Sequence, residues 1–271
     1  MSDFTLSLNT STIRPTGLMD KIAIAGECGY DAIELWINDI DEYVEQGGSI
    51  DDVKKALADN NLPVPTIIAL HGWLGSTGAE HQEAIDEAKR RLEIGEELGA
   101  QYAISSPPRA EVDMDAAGAQ YRELLDLAEG MRIKPSMEFL GFVPTVCTIK
   151  SAWQIICDAD HPDGSIIMDP FHVFRGGGSI DEMDPIPAEK IAVFHFNDAV
   201  DTKPREEQSD ADRVFPGDGV LDLADMIARL KQKSYGGAIS LELFNPMYWE
   251  RDPRQVCREG LEKMRAVVAP A

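Results

Sequence analysis

Basic residues are scarce in this chain: 25 Lys and Arg stand against 48 Asp and Glu, a formal charge of −23. That balance lacks the electrostatic footprint needed to hold nucleic acid or an anionic membrane. The acids read mainly as a solvated surface that favours solubility. No basic region followed by an apolar stretch opens the sequence, so no secretory signal is expected, and no apolar run is long enough to cross a bilayer. Glycine-rich phosphate motifs are missing too. There is no GxGxxG opening a helix after a strand, and the glycines at 176–178 lack the GxxxxGK[ST] pattern and read as a turn. Nicotinamide chemistry on a Rossmann unit is thereby excluded. Cysteine is limited to Cys28, Cys147, Cys157 and Cys257, with no CxxC pair. Cys147 and Cys157 flank one helical pattern, which would hold them roughly 15 Å apart, too far to bridge. Buried free thiols in a reducing compartment, the cytoplasm, are the expectation.

What the sequence does contain is alternation on a regular scale. Short β-branched runs at 5–9, 32–36, 64–70, 102–105, 134–139, 165–169, 191–196 and 238–243 are separated by amphipathic stretches. Leu18, Ile22 and Ala25 line one helical face before Gly29; Ile85, Ala88, Leu92 and Leu98 do so before Gly99. Leu223, Ile227 and Leu230 precede a Gly236-Gly237 stop, and Asp252-Pro253 caps a last helix carrying Leu261, Met264 and Val268. Eight units of about 34 residues match the dimensions of a (β/α)8 barrel. The absence of a Pro/Gly/Ser-rich linker favours one domain over 1–271. A doubly wound open sheet is the competing α/β fold, and strand counting alone leaves it open.

Four late strands end in an ionisable residue: Glu138, Asp169, His195 and Glu242. In a barrel the C-terminal strand ends converge on one mouth, where chemistry is housed. Any single acid there is ordinarily a salt-bridge partner or helix cap. Four on successive strands point instead to a hard, oxygen-rich site for one divalent cation: Mn²⁺, Mg²⁺, Co²⁺ or Zn²⁺. A cation would also offset the cost of burying these carboxylates. His71 and Trp73 follow the third strand, where they could wall a pocket or merely pack a loop. Glu34, inside the second strand, reads as structural, with reaching the pocket or supporting His71 as its alternative uses.

At these positions the sequence resembles a known family. The blocks MEFLG at 137–141, MDPFH at 168–172, FHFND at 194–198, DRVFPGDGV at 212–220 and SLELFN at 240–245 are similar to those of xylose isomerase-like TIM barrels of the sugar phosphate isomerase/epimerase group. GYDAIEL at 29–35 extends the likeness towards the first strand, and the inosose isomerases of inositol catabolism are among the members whose blocks it resembles in the same order. The resemblance implies that Glu138, Asp169, His195 and Glu242 ligate the metal. It also implies that Glu138 and Glu242 exchange a proton with the carbon beside a ketone. His172, by itself a core histidine beside Phe171, and Arg213, by itself a loop ion-pair partner, become contacts to substrate hydroxyls. One departure is Phe142, where inosose isomerases carry a histidine.

The implied activity is isomerisation or epimerisation of a small keto-polyol, an inosose or a ketose sugar, through an enediolate. The alternative is a dehydratase acting on a keto-cyclitol or a 3-dehydroshikimate-like acid through the same first step. An apurinic endonuclease-like repair enzyme is remote: it needs a three-metal cluster, and this acidic chain has five histidines. A binding barrel that keeps the metal without catalysis is the remaining class. No nucleic acid or membrane partner is expected, and homo-oligomerisation is left open.

Overall fold

The computed structural model describes residues 4–269. Eight strands close into a parallel barrel in sequence order: β1 (Thr5–Asn9), β2 (Ala32–Trp36), β3 (Thr66–Leu70), β4 (Tyr102–Ser105), β5 (Lys134–Met137), β6 (Ile166–Met168), β7 (Ile191–Phe196) and β8 (Ala238–Leu241). The pairing Leu8↔Leu241 closes the ring between first and last strands. Closure excludes the open sheet. Every barrel strand is covered on both faces, which is why the runs are apolar with few exposed positions.

The helices are α1 (Leu18–Cys28), α2 (Ile37–Glu45), α3 (Ile50–Asp59), α4 (Gly78–Glu97), α5 (Met114–Leu127), α6 (Ile149–Ala159), α7 (Pro170–Gly176), α8 (Leu223–Gln232), α9 (Pro246–Trp249) and α10 (Pro253–Val268). Helix α1 buries Leu18, Ile22 and Ala25, and stops where Gly29 adopts a left-handed φ of 85°. The N–H of Gly29 and that of Tyr30 then bond back to Gly26 and Ala25, satisfying carbonyls that the helix end leaves free. Helix α10 starts as its sequence demands. The Asp252 carboxylate accepts the Gln255 N–H, a cap worth about 1 kcal/mol, and Pro253 occupies the first turn, where no donor is needed. Val256, Leu261 and Met264 on its inner face complete the apolar shell around the strands.

Three strand ends differ from the sequence expectation. Strands β5, β6 and β8 stop at Met137, Met168 and Leu241, one residue before Glu138, Asp169 and Glu242. The acids have left the ladder and turned towards the mouth. All four cysteines are free, but the expected burial holds only for Cys257; Cys28 and Cys147 are half-buried, and Cys157 is exposed on the outer face of α6. Among the described residues no helix is long and apolar enough to cross a membrane.

Candidate metal centre and substrate cavity

Asp169, His195 and Glu242 meet at the mouth, each offering a ligand atom within 4.8 Å of the others. All three are buried. Local sequence explains each position. Asp169 caps α7: its Oδ1 accepts the His172 N–H at 3.1 Å, and Pro170 takes the first helical position. The cap therefore places His172 one turn away, which is the physical content of the D-x-x-H spacing. Asn197 adds donors 3.3 Å from both Asp169 oxygens. His195 lies within β7, and Glu242 follows β8.

Arg213 reaches the same point from outside the barrel. Residues Asp198–Ala199 pair antiparallel with Arg213–Val214, bringing the long loop back over β7. The Asp198 carboxylate accepts the N–H groups of Gly217, Gly219 and Leu221, pinning the PGDG turn. A Cβ at Gly219 would lie 2.3 Å from the Ala199 carbonyl oxygen, so this close approach requires glycine. So held, Arg213 donates through Nη1 to Asp169 Oδ2 and Glu242 Oε2, both at 2.7 Å, and through Nη2 to Asp210 at 2.7 Å. Its guanidinium lies over the rings of Phe171 (4.9 Å) and Phe244 (5.4 Å). It is a buried charge, not a solvated loop residue.

Glu138 stands apart from the three-ligand cluster. Its Oε2 accepts the Ser106 hydroxyl at 2.6 Å, and it lines the same cavity as Glu242. Burial, reinforced by the nearby Glu242 charge, pushes its carboxyl up to about 8. Asp169 behaves oppositely: burial would raise it, yet the Arg213 charge holds it well below the ordinary carboxylate range. For Glu138, with a folded pKa above its ordinary 4.5, the stabilising contribution is complete below that value and lost as pH rises through about 8. Metal-free protein should accordingly lose thermal stability across this window. Glu138→Gln should flatten that slope; a slope equal to the parent's would refute the assignment.

The cavity encloses about 340 Å³, and its walls include Trp36, His71, Arg109, Phe142, His172 and Arg213. His172 is buried between Gly141 N (3.3 Å from Nδ1) and Arg213 Nη2 (3.0 Å from Nε2). Burial and Arg213 outweigh the pull of Asp169, lowering its pKa and keeping the ring neutral. His71 sits exposed at the rim, though desolvation by its neighbours, then the Arg91 charge, lower its pKa as well.

Trp73 corrects the sequence reading. It is fully buried against Tyr121, with ring centroids 5.8 Å apart, and does not line the cavity. Between it and His71, Gly72 takes a φ of 75°, which turns the chain from the mouth into the apolar shell. Glu34 does not support His71 either; its partners are Asn9 and His195. Asn9, Ser106 and Arg109 escaped the sequence reading. Asn9 and Ser106 follow the same rule that found the acids, a polar residue where an apolar strand ends. Arg109 carries no such signal.

The sequence model of the family described as "Xylose isomerase-like TIM barrel" matches residues 22–267. An inosose isomerase of Halalkalibacterium halodurans is 26% identical over 268 residues, covering 96% of this chain and 94% of the relative. A 3-dehydroshikimate dehydratase of Pseudomonas putida is 28% identical over 256 residues, covering 91% of this chain but only 39% of that longer protein. Among solved structures, the IOLI protein with a bound zinc atom superposes with a TM-score of 0.92 at 26% identity, covering 98% of both chains.

Proposed function

The chain belongs to the xylose isomerase-like TIM-barrel family, and from that premise we propose a divalent-metal-dependent isomerase of a keto-polyol, with an inosose as the substrate to test first. The observation that carries this reading is the Asp169, His195 and Glu242 cluster at the end of the cavity that also holds Glu138. The donor set fits a hard or borderline divalent cation. His195 Nδ1 is buried without a hydrogen-bond partner, although Glu242 Oε2 is 3.1 Å away and Asp169 Oδ2 3.6 Å. A lone pair so placed is what a metal ligand requires. We assign Asp169, His195 and Glu242 as ligands, with Glu138, which lines the same cavity, as the fourth.

When bound, the cation supplies Lewis acidity at the ketone oxygen. The chain's own groups then move the proton. One of Glu138 and Glu242 removes hydrogen from the carbon beside the carbonyl, leaving an enediolate, and the same or the other returns it to a neighbouring carbon. Glu138 is placed for this use by the Ser106 hydroxyl on its Oε2 and by its position on the cavity wall; a ligating carboxylate is a weak base, so the lowered pKa of the polarised carbon acid supplies most of the acceleration. Arg213 and His172 orient substrate hydroxyls, while Phe142 and Trp36 give an apolar wall that limits water. His71 binds at the rim. His172→Ala should leave metal content at the parent level and lower kcat/KM roughly five- to a hundred-fold, the cost of about 1–3 kcal/mol for leaving a buried polar partner without its hydrogen bond. Unchanged kinetics would return His172 to a packing role. The free cysteines suit a cytoplasmic location, and the reaction is housed in one barrel domain.

A dehydratase of a keto acid is the second reading. Arg109 favours it: a guanidinium at the cavity wall, over the Phe142 ring at 4.9 Å, suits a carboxylate. Incubation of zinc-loaded protein with 2-keto-myo-inositol and with 3-dehydroshikimate separates the two. An isomer of unchanged mass from the inosose is expected. Loss of water from the keto acid with an inert inosose would select the lyase instead.

A further inference from the structure

A buried carboxylate that contacts neither cavity nor solvent needs a reason, and Glu34 is one. It is fully buried in β2, and its Oε1 has no hydrogen-bond partner. An unpaired carboxylate oxygen in such a place is costly, and an apolar side chain would fill the space without that cost. Packing therefore does not account for it.

Its other oxygen is fully used. Oε2 accepts Asn9 Nδ2 at 2.8 Å and faces His195 Nε2 at 3.2 Å. Asn9 is paired with Glu34 in the β1–β2 register, and its amide cannot be turned round. Its Oδ1 accepts two donors, the Ser11 N–H and the Trp36 indole N–H, both at 3.0 Å. An amide presents oxygen at one end and NH₂ at the other, so the NH₂ must face the carboxylates. Those are Glu34 and, at 3.0 Å, Glu242 Oε1.

We propose that Glu34, held by Asn9, is a positioning residue that fixes His195 with its Nε2–H towards Glu34 and its Nδ1 towards Asp169 and Glu242. A carboxylate only accepts, and of the two ring nitrogens only Nε2 is aligned to hydrogen-bond one, Glu34, while Nδ1 makes no hydrogen bond to Glu242 or Asp169; a neutral ring with its hydrogen on Nε2 keeps the Nδ1 lone pair for a cation. The same Asn9 amide fixes one oxygen of Glu242 and leaves the other turned to the cluster. Two of the three grouped donors are thus oriented through one asparagine. Carboxylate–histidine–metal relays of this kind set both ring orientation and ligand basicity. The proposal rests on the cluster being a metal centre, and it adds Glu34 and Asn9 to that centre's supporting groups.

The test measures zinc affinity by chelator competition, together with ¹H–¹⁵N spectra of zinc-loaded protein labelled at its five histidines. In the parent, one histidine should show a slowly exchanging Nε2–H and a metal-bound Nδ1. Glu34→Ala should weaken zinc binding roughly ten- to a hundred-fold and expose that proton to fast exchange. Glu34→Gln retains an acceptor oxygen but not the charge; it should lose several-fold in affinity and shift the Nε2–H signal while keeping it. If Glu34→Ala fails to fold, Glu34→Gln decides alone. Parent-like zinc affinity with an unmoved His195 signal would overturn the positioning role and leave the metal centre standing. A parent that does not bind zinc would remove both.

Discussion

Glu242→Gln and His195→Ala should each bind a divalent cation on the order of a hundred-fold or more weakly than the parent, and should be inactive when metal is limiting. Even outer groups around a metal cost ten- to a hundred-fold when removed, so loss of a direct donor lies at or beyond that upper limit. Asp169, His195 and Glu242 are mutually within 4.8 Å, and removing either residue leaves two of this group beside Glu138. Glu242 carries a further burden, because it binds Arg213 and Asn9 at the same time. Glutamine there loses charge at both contacts and turns an acceptor oxygen into a donor. Chelator competition with purified variants reads the loss directly, and His81→Ala, outside the site, serves as the control. Parent-like affinity in both variants would remove the metal assignment.

Arg213→Ala should destabilise the metal-free protein by about 3–5 kcal/mol, the usual cost of leaving buried carboxylates without their counter-charge. For a chain of this size the melting temperature should fall by on the order of 10 °C. The guanidinium is 1% exposed and bonded to Asp169, Glu242 and Asp210, so water cannot replace it. A divalent cation held by the same two carboxylates would supply compensating charge and stabilise the folded state by an amount that grows with the logarithm of its concentration over its Kd. Added zinc should therefore recover much of the lost stability. Thermal unfolding with chelator and with zinc separates the outcomes. An equal loss in both conditions would assign Arg213 to packing against Phe171 and Phe244 instead of charge balance.

These charges were visible in the sequence because they break a pattern. Apolar runs that stop at Glu138, Asp169 and Glu242, or admit His195, stand out against strands buried on both faces. The barrel was legible for the same reason: eight such runs separated by capped amphipathic helices leave few other closed arrangements. What did not show was anything decided by three-dimensional return of the chain. Asn9 and Glu242 are 233 residues apart and share a hydrogen bond only because the last strand closes on the first. Glu34 reads from sequence as structural, with His71 only as one alternative partner, because nothing in the sequence brings it to His195, 161 residues away. Trp73 was misplaced because two residues of spacing would keep it on the face of His71 in a strand, whereas the chain turns at Gly72. Ser106 was hidden as one serine of a Ser-Ser-Pro-Pro run, and only its 2.6 Å bond to Glu138 distinguishes it.

The proposed reaction is proton transfer between carbons by Glu138 and Glu242 beside a metal-polarised ketone. Its most direct test is the isomerisation of 2-keto-myo-inositol in D₂O by zinc-loaded protein, followed by NMR and mass. Solvent deuterium is expected at the carbon next to the carbonyl, appearing in recovered substrate as well as product and lost in Glu138→Gln. Complete retention of a substrate deuterium label, with none taken from solvent, would mean that hydrogen passes directly between carbons. That result would contradict the proton route and reduce the two glutamates to holding the metal.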